Sequence, residues 1–309
     1  MASTVTEGKI PFTVGDETFE TYFKVTGDVQ QAENGPVVVL HGGPGISHDY
    51  LLPIADLVTT HSPNAVIFYD QLGSGRSTHL QSKDTSFWTI ELFIDELENL
   101  LSHFGIANNF NLIAHSWGGT LASEFVVRRQ PKGLRRLVLM DCLASAKLRN
   151  EAIGRLRKKL PEEVQSTLAK HEKEGTTKCD EYKANMLVFW ETFACRVKPF
   201  PEEVTYSLGQ PEIDPTVLDA MRNGETGLAT QWDITDRIHL MRHVPTLIIN
   251  GEHDYMTDEV CAPFYWGIDK VKWVKFAQSS HMPHWEERES RNKRSNYVPL
   301  SLPIMYNFA

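Results

Sequence analysis

The sequence predicts an α/β protein in which a mostly parallel central sheet is flanked by helices and the chain carries an inserted helical subdomain. Short apolar runs without strict alternation recur along the chain, as is typical of strands buried on both faces. Amphipathic helical patterns lie between such runs, and strands that alternate with helices usually pair in parallel. Residues 142–241 differ from both neighbouring regions, because they are helical in pattern, rich in charge and lack a clear strand.

The chain opens with an antiparallel hairpin, since the turn residues Gly15 and Asp16 separate two β-type segments. An amphipathic helix is expected over residues 90–104, where apolar residues recur at i, i+3, i+4 and i+7. A second helix, residues 259–267, separates the last two apolar runs. The predicted strands are residues 9–14, 19–25, 36–40, 65–69, 110–114, 136–140, 244–250 and 271–276.

Length and composition agree with one core and one insertion. The chain has 309 residues, of which 41% are hydrophobic and 23% charged, enough apolar side chains for a sizeable core. We expect a discontinuous core, residues 1–141 and 242–309, with a helical cap, residues 142–241. The net charge of −9 opposes non-specific binding to nucleic acid or to anionic membranes, which requires a basic surface. A small molecule or peptide is the partner that this composition favours.

The amino terminus and the cysteines bear on the cellular compartment. Residues 1–7 have neither the basic nor the apolar region of a secretory signal, and no run approaches the ~20 apolar residues of a membrane span. A cytoplasmic protein is therefore expected. Cys142, Cys179, Cys195 and Cys261 show no paired spacing and no clustering with histidine. We predict buried free thiols and neither a zinc site nor disulfides.

Ser116 is the candidate nucleophile. It follows the apolar run 110–114 and precedes a helical pattern that begins at Thr120, so it lies in a tight strand-to-helix turn. Such a nucleophile elbow needs small residues two positions before and two positions after the serine, because neighbouring elements approach the strained turn closely. Ala114 and Gly118 meet this need, although alanine replaces the usual first glycine. A chance serine turn would share this local pattern, so the rest of the chain must distinguish the two.

A glycine-rich turn, residues 41–45 with the sequence HGGPG, directly follows the central strand run. Glycines there let backbone N–H groups point above the sheet, where the oxyanion of a tetrahedral intermediate would form. We predict an oxyanion hole made by the N–H groups of Gly43 and Trp117. A phosphate-binding loop is the alternative, but its glycine spacing differs and no lysine follows the turn.

The acid and the base of a catalytic triad are expected on loops after late strands, in the chain order serine, acid, histidine of the α/β-hydrolase fold. Asp254 follows the seventh predicted strand and His281 the eighth. His281 would take the serine proton and return it to the leaving group, and Asp254 would hold the histidine tautomer. Glu252 and His284 remain the alternative acid and base. This mechanism needs neither a metal nor an organic cofactor.

Several separated segments together resemble the proline iminopeptidases. They are residues 41–45 (HGGPG), 70–77 (DQLGSGRS), 115–119 (HSWGG), 232–237 (WDITDR) and 251–254 (GEHD). The resemblance extends over most of the chain. It implies an α/β-hydrolase fold and a serine aminopeptidase that releases an N-terminal residue, commonly proline, from peptides and also cleaves amino acid amides.

The resemblance also implies that acidic groups beneath the cap bind the α-ammonium of the substrate. A carboxylate suits this role, because a partly buried ammonium needs a paired charge. Glu225 is the first candidate and Glu191 the second. Tyr255 departs from the family pattern, since some relatives place another acidic residue directly after the triad acid. The preferred N-terminal residue is therefore left open by the sequence.

Other functions remain open on the same fold. An esterase or an amino acid amidase would use the same triad, whereas an epoxide hydrolase, with its similar HGxPG turn, would need aspartate in place of Ser116. Residues 290–296 lack an apolar stripe, and Pro299 and Pro303 oppose a helix in the apolar tail, so we expect an atypical carboxyl terminus. A catalytically impaired variant of the scaffold is the alternative that this tail leaves open.

Overall fold

The computed structural model describes residues 4–32, 34–58, 65–224 and 227–288. Within these ranges eight strands form one sheet. The strands are β1 (Val5–Val14), β2 (Glu17–Gly27), β3 (Val37–Leu40), β4 (Ala65–Tyr69), β5 (Phe110–His115), β6 (Leu134–Met140), β7 (Thr246–Gly251) and β8 (Val271–Phe276). They lie side by side in the order β1-β2-β4-β3-β5-β6-β7-β8.

The predicted hairpin and the mostly parallel sheet are both confirmed. β1 and β2 pair in antiparallel register, with Phe12 opposite Phe19 and both rings buried in the larger core. β2 is also antiparallel to β4, whereas all pairs among β3 to β8 are parallel. Because parallel strands share one direction, the loops that follow β3, β5, β6, β7 and β8 meet at one edge of the sheet.

Helices cover the sheet and fill the insertion. The first of them follows the prediction closely: Thr89 caps it by accepting a hydrogen bond from Leu92 N at 3.1 Å, and Phe93 and Leu97 are fully buried against the sheet. Each such side chain contributes roughly 1.5–3 kcal/mol of burial free energy. The α-helices in the described ranges are α1 (Ile90–His103), α2 (Trp117–Arg129), α3 (Ala146–Arg157), α4 (Glu162–Glu174), α5 (Asp180–Phe193), α6 (Glu202–Ile213), α7 (Thr216–Asn223), α8 (Asp258–Gly267) and α9 (Pro283–Glu286).

The insertion between β6 and β7 contains α3 to α7. It has a small apolar cluster of its own, which includes Leu168 and Phe189. The chain contacts the core again before residue 242: Trp232 Nε1 donates to Glu124 of α2 at 2.9 Å, and the Arg237 guanidinium forms two hydrogen bonds with the same carboxylate. The carboxyl-terminal end of the insertion is therefore attached to α2, and the bridge between Ser145 and Asp233 joins it to the amino-terminal end.

None of the helices in the described ranges combines the length and the apolar character needed to cross a bilayer. The atypical carboxyl terminus predicted from residue 290 onward lies outside the described residues.

Glu96 is a buried carboxyl group that connects the sheet to the loop after β4. Its Oε1 accepts from the Thr21 hydroxyl at 2.5 Å and from Leu72 N at 3.0 Å. Burial raises the pKa of Glu96 from 4.5 to about 7, although both hydrogen bonds act in the opposite direction. The folded protein therefore holds a carboxyl group that gains its charge near neutral pH.

The stability of the protein is expected to depend on the charge of Glu96. Because the pKa of Glu96 is raised in the folded state, its contribution to the free energy of unfolding is fully present below pH 4.5 and is lost as the pH rises through about 7. The loss amounts to roughly 3 kcal/mol. We expect the unfolding free energy of Glu96→Gln, measured relative to that of wild type, to rise by that amount between pH 4.5 and pH 8. Urea unfolding at several pH values measures it. A difference that does not change with pH would contradict the prediction.

Candidate active site

Ser116 lies in the tight turn between β5 and α2, with φ 55° and ψ −120°. The turn leaves no room for side chains at the second and third positions of α2. A methyl group on Gly118 would collide with the Leu40 carbonyl oxygen, and one on Gly119 would collide with Cys142 Sγ. Ala114 is fully buried in β5, so its small side chain fits where a first glycine is usual. The local geometry is that of a nucleophile elbow.

The glycine-rich turn after β3 lies against Ser116. A methyl group on Gly42 would be only 3.0 Å from Ser116 Cβ, and Gly43 has φ 112°, which favours glycine. Among the described residues, neither Gly43 N nor Trp117 N has a hydrogen-bond acceptor. Trp117 is also the first residue of α2, where the helix dipole favours negative charge. The turn and the start of α2 thus bring two N–H donors next to the serine, neither of which has an acceptor in the described part of the chain.

Gln71 joins this turn to α2 through hydrogen bonds. Its N–H donates to His41 Nε2 at 2.9 Å, its side-chain amide donates to the His41 carbonyl at 3.1 Å, and its Oε1 accepts from Trp117 Nε1 at 2.8 Å. Burial lowers the pKa of His41 to about 4, so the ring is neutral and its Nδ1–H donates to the Gly42 carbonyl. Sequence reasoning assigned Gln71 no role, although the segment 70–77 had marked it.

His115 connects the turn to the loop of the candidate base. Gly42 N donates to the Tyr50 hydroxyl at 2.7 Å, and that hydroxyl lies 2.6 Å from His115 Nδ1. On the other side, His115 Nε2 lies 2.8 Å from the His281 carbonyl oxygen. Burial holds the pKa of His115 well below its usual range. The neutral ring of His115 therefore carries its proton on Nε2, from which it donates to the His281 carbonyl, and accepts a hydrogen bond from the Tyr50 hydroxyl at Nδ1. Each donor in this series thus points from the glycine-rich turn toward the loop of His281.

His281 and Asp254 lie together at the carboxyl end of the sheet. His281 Nδ1 donates to Asp254 Oδ1 at 2.9 Å, and both side chains are buried. The alternatives lie elsewhere. Glu252 is paired with Lys275 at 2.6 Å on the surface, and His284 Nε2 donates to the Tyr50 carbonyl at 3.0 Å. Burial lowers the pKa of His284 to about 3, so it is neutral and engaged away from the serine.

Tyr255 occupies the other nitrogen of His281. Its hydroxyl lies 3.0 Å from His281 Nε2, and the two rings are 4.3 Å apart. Burial raises the pKa of Tyr255, so the phenol is neutral and donates to the imidazole. On its other side Tyr255 packs against Phe189 and Trp190 of α5. The insertion therefore contacts the candidate triad through this ring.

The two predicted amine-binding residues stay predictions. Glu225 lies outside the described residues. The carboxylate of Glu191 is paired with Lys198 Nζ at 2.5 Å and is about one-third exposed. A substrate ammonium would have to displace that lysine.

Two groups of histidine and aspartate in the described chain are compact enough to hold a metal ion. One consists of His48, Asp49 and Asp70, but the Arg76 guanidinium forms two hydrogen bonds with Asp49, and Asp70 accepts from His48 Nδ1 at 2.7 Å. These contacts already supply the positive charge and the donors that the carboxylates need. The other group is the Asp254 and His281 pair with Asp141.

The sheet order, the elbow at Ser116 and the acid and histidine loops after β7 and β8 define an α/β hydrolase with a serine at the elbow. A family model described as the alpha/beta hydrolase fold matches residues 35–288. The chain is therefore a serine hydrolase of this fold.

Comparison with similar proteins identifies the family within this fold to which the chain belongs. The proline iminopeptidase of Lactobacillus delbrueckii subsp. bulgaricus is 30% identical over 297 residues, which cover 92% of this chain and 94% of that protein. The crystal structure of proline iminopeptidase from Mycobacterium smegmatis shares 36% identity and a TM-score of 0.80, covering 91% of this chain and 93% of that one. The crystal structure of VinJ shares 40% identity and a TM-score of 0.84, covering 91% and 94%. The chain belongs to the proline iminopeptidase family.

Proposed function

We propose that this enzyme is a serine aminopeptidase that releases an N-terminal residue, proline or another small or apolar residue, from peptides or amino acid amides. The observation that supports it most directly is the 2.9 Å hydrogen bond between His281 Nδ1 and Asp254 Oδ1, on loops beside the elbow of Ser116. The free N–H groups of Gly43 and Trp117 add the donors that acyl transfer requires. The names of the relatives support the class of substrate.

In the proposed reaction, Ser116 Oγ attacks the carbonyl carbon of the N-terminal residue while His281 Nε2 accepts the hydroxyl proton. The N–H groups of Gly43 and Trp117 donate to the oxyanion. His281 then gives its proton to the leaving amine, and the C–N bond breaks to leave an ester on Ser116. A water molecule that loses its proton to the same imidazole hydrolyses this ester. Asp254 stays ionised and stabilises the imidazolium.

Tyr255 must release His281 before this proton transfer. Nε2 of the imidazole that donates through Nδ1 has a single lone pair, and the phenol hydroxyl of Tyr255 occupies it. We expect a bound substrate to turn the phenol away, so that the serine hydroxyl can donate to Nε2. Because Tyr255 packs on α5, this movement would be coupled to the insertion.

Residues 142–241 are proposed as a cap over the active site. The insertion packs on Tyr255 through α5, and α7 lies on the glycine-rich turn, where a methyl group on Gly45 would be 3.2 Å from Leu218 N. Carboxylates of the cap, Glu225 and Glu191, are proposed to bind the substrate ammonium. The loss of such a charge pair typically costs 2–5 kcal/mol when it is buried, roughly 30-fold or more in affinity.

We also propose that the enzyme is cytoplasmic. All four cysteines belong to the described residues and are free thiols. Free thiols are typical of proteins that are kept in a reducing compartment.

Initial rates on prolyl and alanyl p-nitroanilides, their N-acetylated forms and p-nitrophenyl acetate test this function. We expect turnover of the free-amine anilides, with kcat/KM lower by about 30-fold or more after N-acetylation, because the ammonium contact is lost. Ester turnover without anilide turnover would favour the esterase instead. Equal rates for free and acetylated anilides would contradict recognition of the amine.

A further inference from the structure

Asp141 is a buried carboxyl group that the proposed reaction does not use. It directly follows β6 and has φ 54°, a left-handed conformation that aspartate adopts more readily than most residues. Its N–H donates to the Ile249 carbonyl of β7 at 2.7 Å, and its side chain is fully buried. The end of β6 is thereby held against the end of β7, whose loop carries Asp254.

Each of these two carboxyl groups has one oxygen with a donor and one without. Asp254 Oδ1 accepts from His281 Nδ1 and from Met256 N, both at 2.9 Å, whereas Asp141 Oδ1 accepts from Gly251 N at 3.3 Å. Among the described residues neither Oδ2 has a hydrogen-bond donor. One carboxylate oxygen of Asp141, one of Asp254 and a ring nitrogen of His281 all lie within 4.8 Å of one another. Two buried carboxyl groups this close need a shared proton, since both cannot be ionised.

The shared proton belongs on Asp141. Asp254 receives two short hydrogen bonds, one of them from the imidazole, and such bonds stabilise the ionised form. Asp141 receives a single long one. Burial raises the pKa of Asp141 well above its usual range, and the nearby negative charge of Asp254 raises it further.

The other titratable groups around Asp141 do not favour its ionised form. His115 Nε2 lies 3.8 Å from Asp141 Oδ2, but burial keeps that ring neutral and its N–H donates to the His281 carbonyl. Glu286 of α9 adds a second negative charge nearby. Cys142 is neutral as well, because burial raises the pKa of its thiol.

We propose that Asp141 is a positioning residue, a neutral carboxylic acid whose Oδ2–H group donates to Asp254 Oδ2. Both oxygens of Asp254 then have donors, so the carboxylate is held with Oδ1 on His281 Nδ1 and keeps its charge there. The sequence already indicated that Asp141 could lie near the triad, since this residue follows a buried strand whose end lies at the same edge of the sheet as the triad loops. This inference rests on the roles proposed for Asp254 and His281.

Two variants of Asp141 separate the donor role from a general packing role. In Asp141→Asn, Oδ1 can still accept from Gly251 N, and the amide can still donate to Asp254. We therefore expect kcat and the acid limb of the pH profile of kcat/KM to stay close to wild type. Asp141→Leu keeps the bulk but leaves a buried carboxylate oxygen of Asp254 without a donor, and kcat is expected to fall about 30-fold with little change in KM. The acid limb should move to higher pH, because Asp254 becomes a stronger base and raises the proton affinity of the imidazole.

The results that would overturn the inference are distinct. A folded Asp141→Leu variant with wild-type kcat and acid limb would show that no donor is needed. If Asp141→Leu does not fold, Asp141→Asn alone decides, because loss of activity in this variant would mean that an anion at position 141 is required. Asp254→Ala is the reference: if it retains full activity, the proposed triad fails, whereas an inactive Asp254→Ala beside an unaffected Asp141→Leu contradicts only the role of Asp141.

Discussion

Replacement of Ser116 by alanine is expected to lower kcat on a prolyl anilide by about 10⁵–10⁶-fold, because the covalent step loses its nucleophile. The variant should fold normally, since the side chain only becomes smaller at a position whose backbone is held by the turn and by the bond from Ser116 N to the Met140 carbonyl at 3.1 Å. Initial rates give the change in kcat, and circular dichroism with a thermal midpoint confirms the fold.

Ser123→Ala is the matched control for this variant. Ser123 lies on α2, the same helix that follows the elbow, and is completely buried with a hydroxyl that has no hydrogen-bond partner among the described residues. Its loss should leave kcat close to that of wild type. Activity retained by Ser116→Ala would exclude the acyl-enzyme mechanism.

Replacement of His281 by alanine is expected to have an effect of similar size, about 10⁶-fold on kcat, because the serine and the base act as one unit. His281 donates to Asp254 through Nδ1, which leaves Nε2 to accept the proton of Ser116 in the proposed reaction. The measurement is again the initial rate on the anilide. Because the base is lost, activity should not recover at any pH between 6 and 9.

His284→Gln serves as its control and decides between the two histidines. His284 donates to the Tyr50 carbonyl, and a glutamine amide can make the same bond. This variant should keep most of its kcat even if its thermal midpoint falls. Loss of activity in His284→Gln together with a mild effect of His281→Ala would assign the base to His284 instead.

The hydrophobic pattern predicted the elements of the core but not their full extent. The hairpin was expected over residues 9–14 and 19–25, whereas β1 and β2 run from Val5 to Val14 and from Glu17 to Gly27. The additional residues are mostly polar and exposed, and they are strand because they pair with a neighbour, as Val5 does with Thr26. Such pairing depends on backbone hydrogen bonds between strands, which the apolar pattern of the sequence does not indicate.

The site divides in the same way. Ser116, Asp254 and His281 could be chosen from the sequence, because each follows a recognisable strand and this fold presents its reactive groups on such loops. The roles of Gln71 and Tyr255 were not predicted. Gln71 bridges two loops that come from different strands, and Tyr255 owes its contact with His281 to packing against the insertion.

By itself the sequence predicted the class of the protein, the order of the core strands along the chain, and the residues that we propose for acyl transfer. These follow from local chemistry: apolar periodicity, small residues at a strained turn and polar residues after buried strands. Only the tertiary structure decided which polar groups meet. Gly251 and Asp141 are 110 positions apart in the chain, yet the pairing of β6 with β7 brings them into hydrogen-bond contact and sets the Asp141 carboxyl beside Asp254. In the low-dielectric interior the proposed protonated state of Asp141 is favoured over a second buried charge. This protonation depends on burial and on the distance between the two carboxyl groups, which no local sequence pattern encodes.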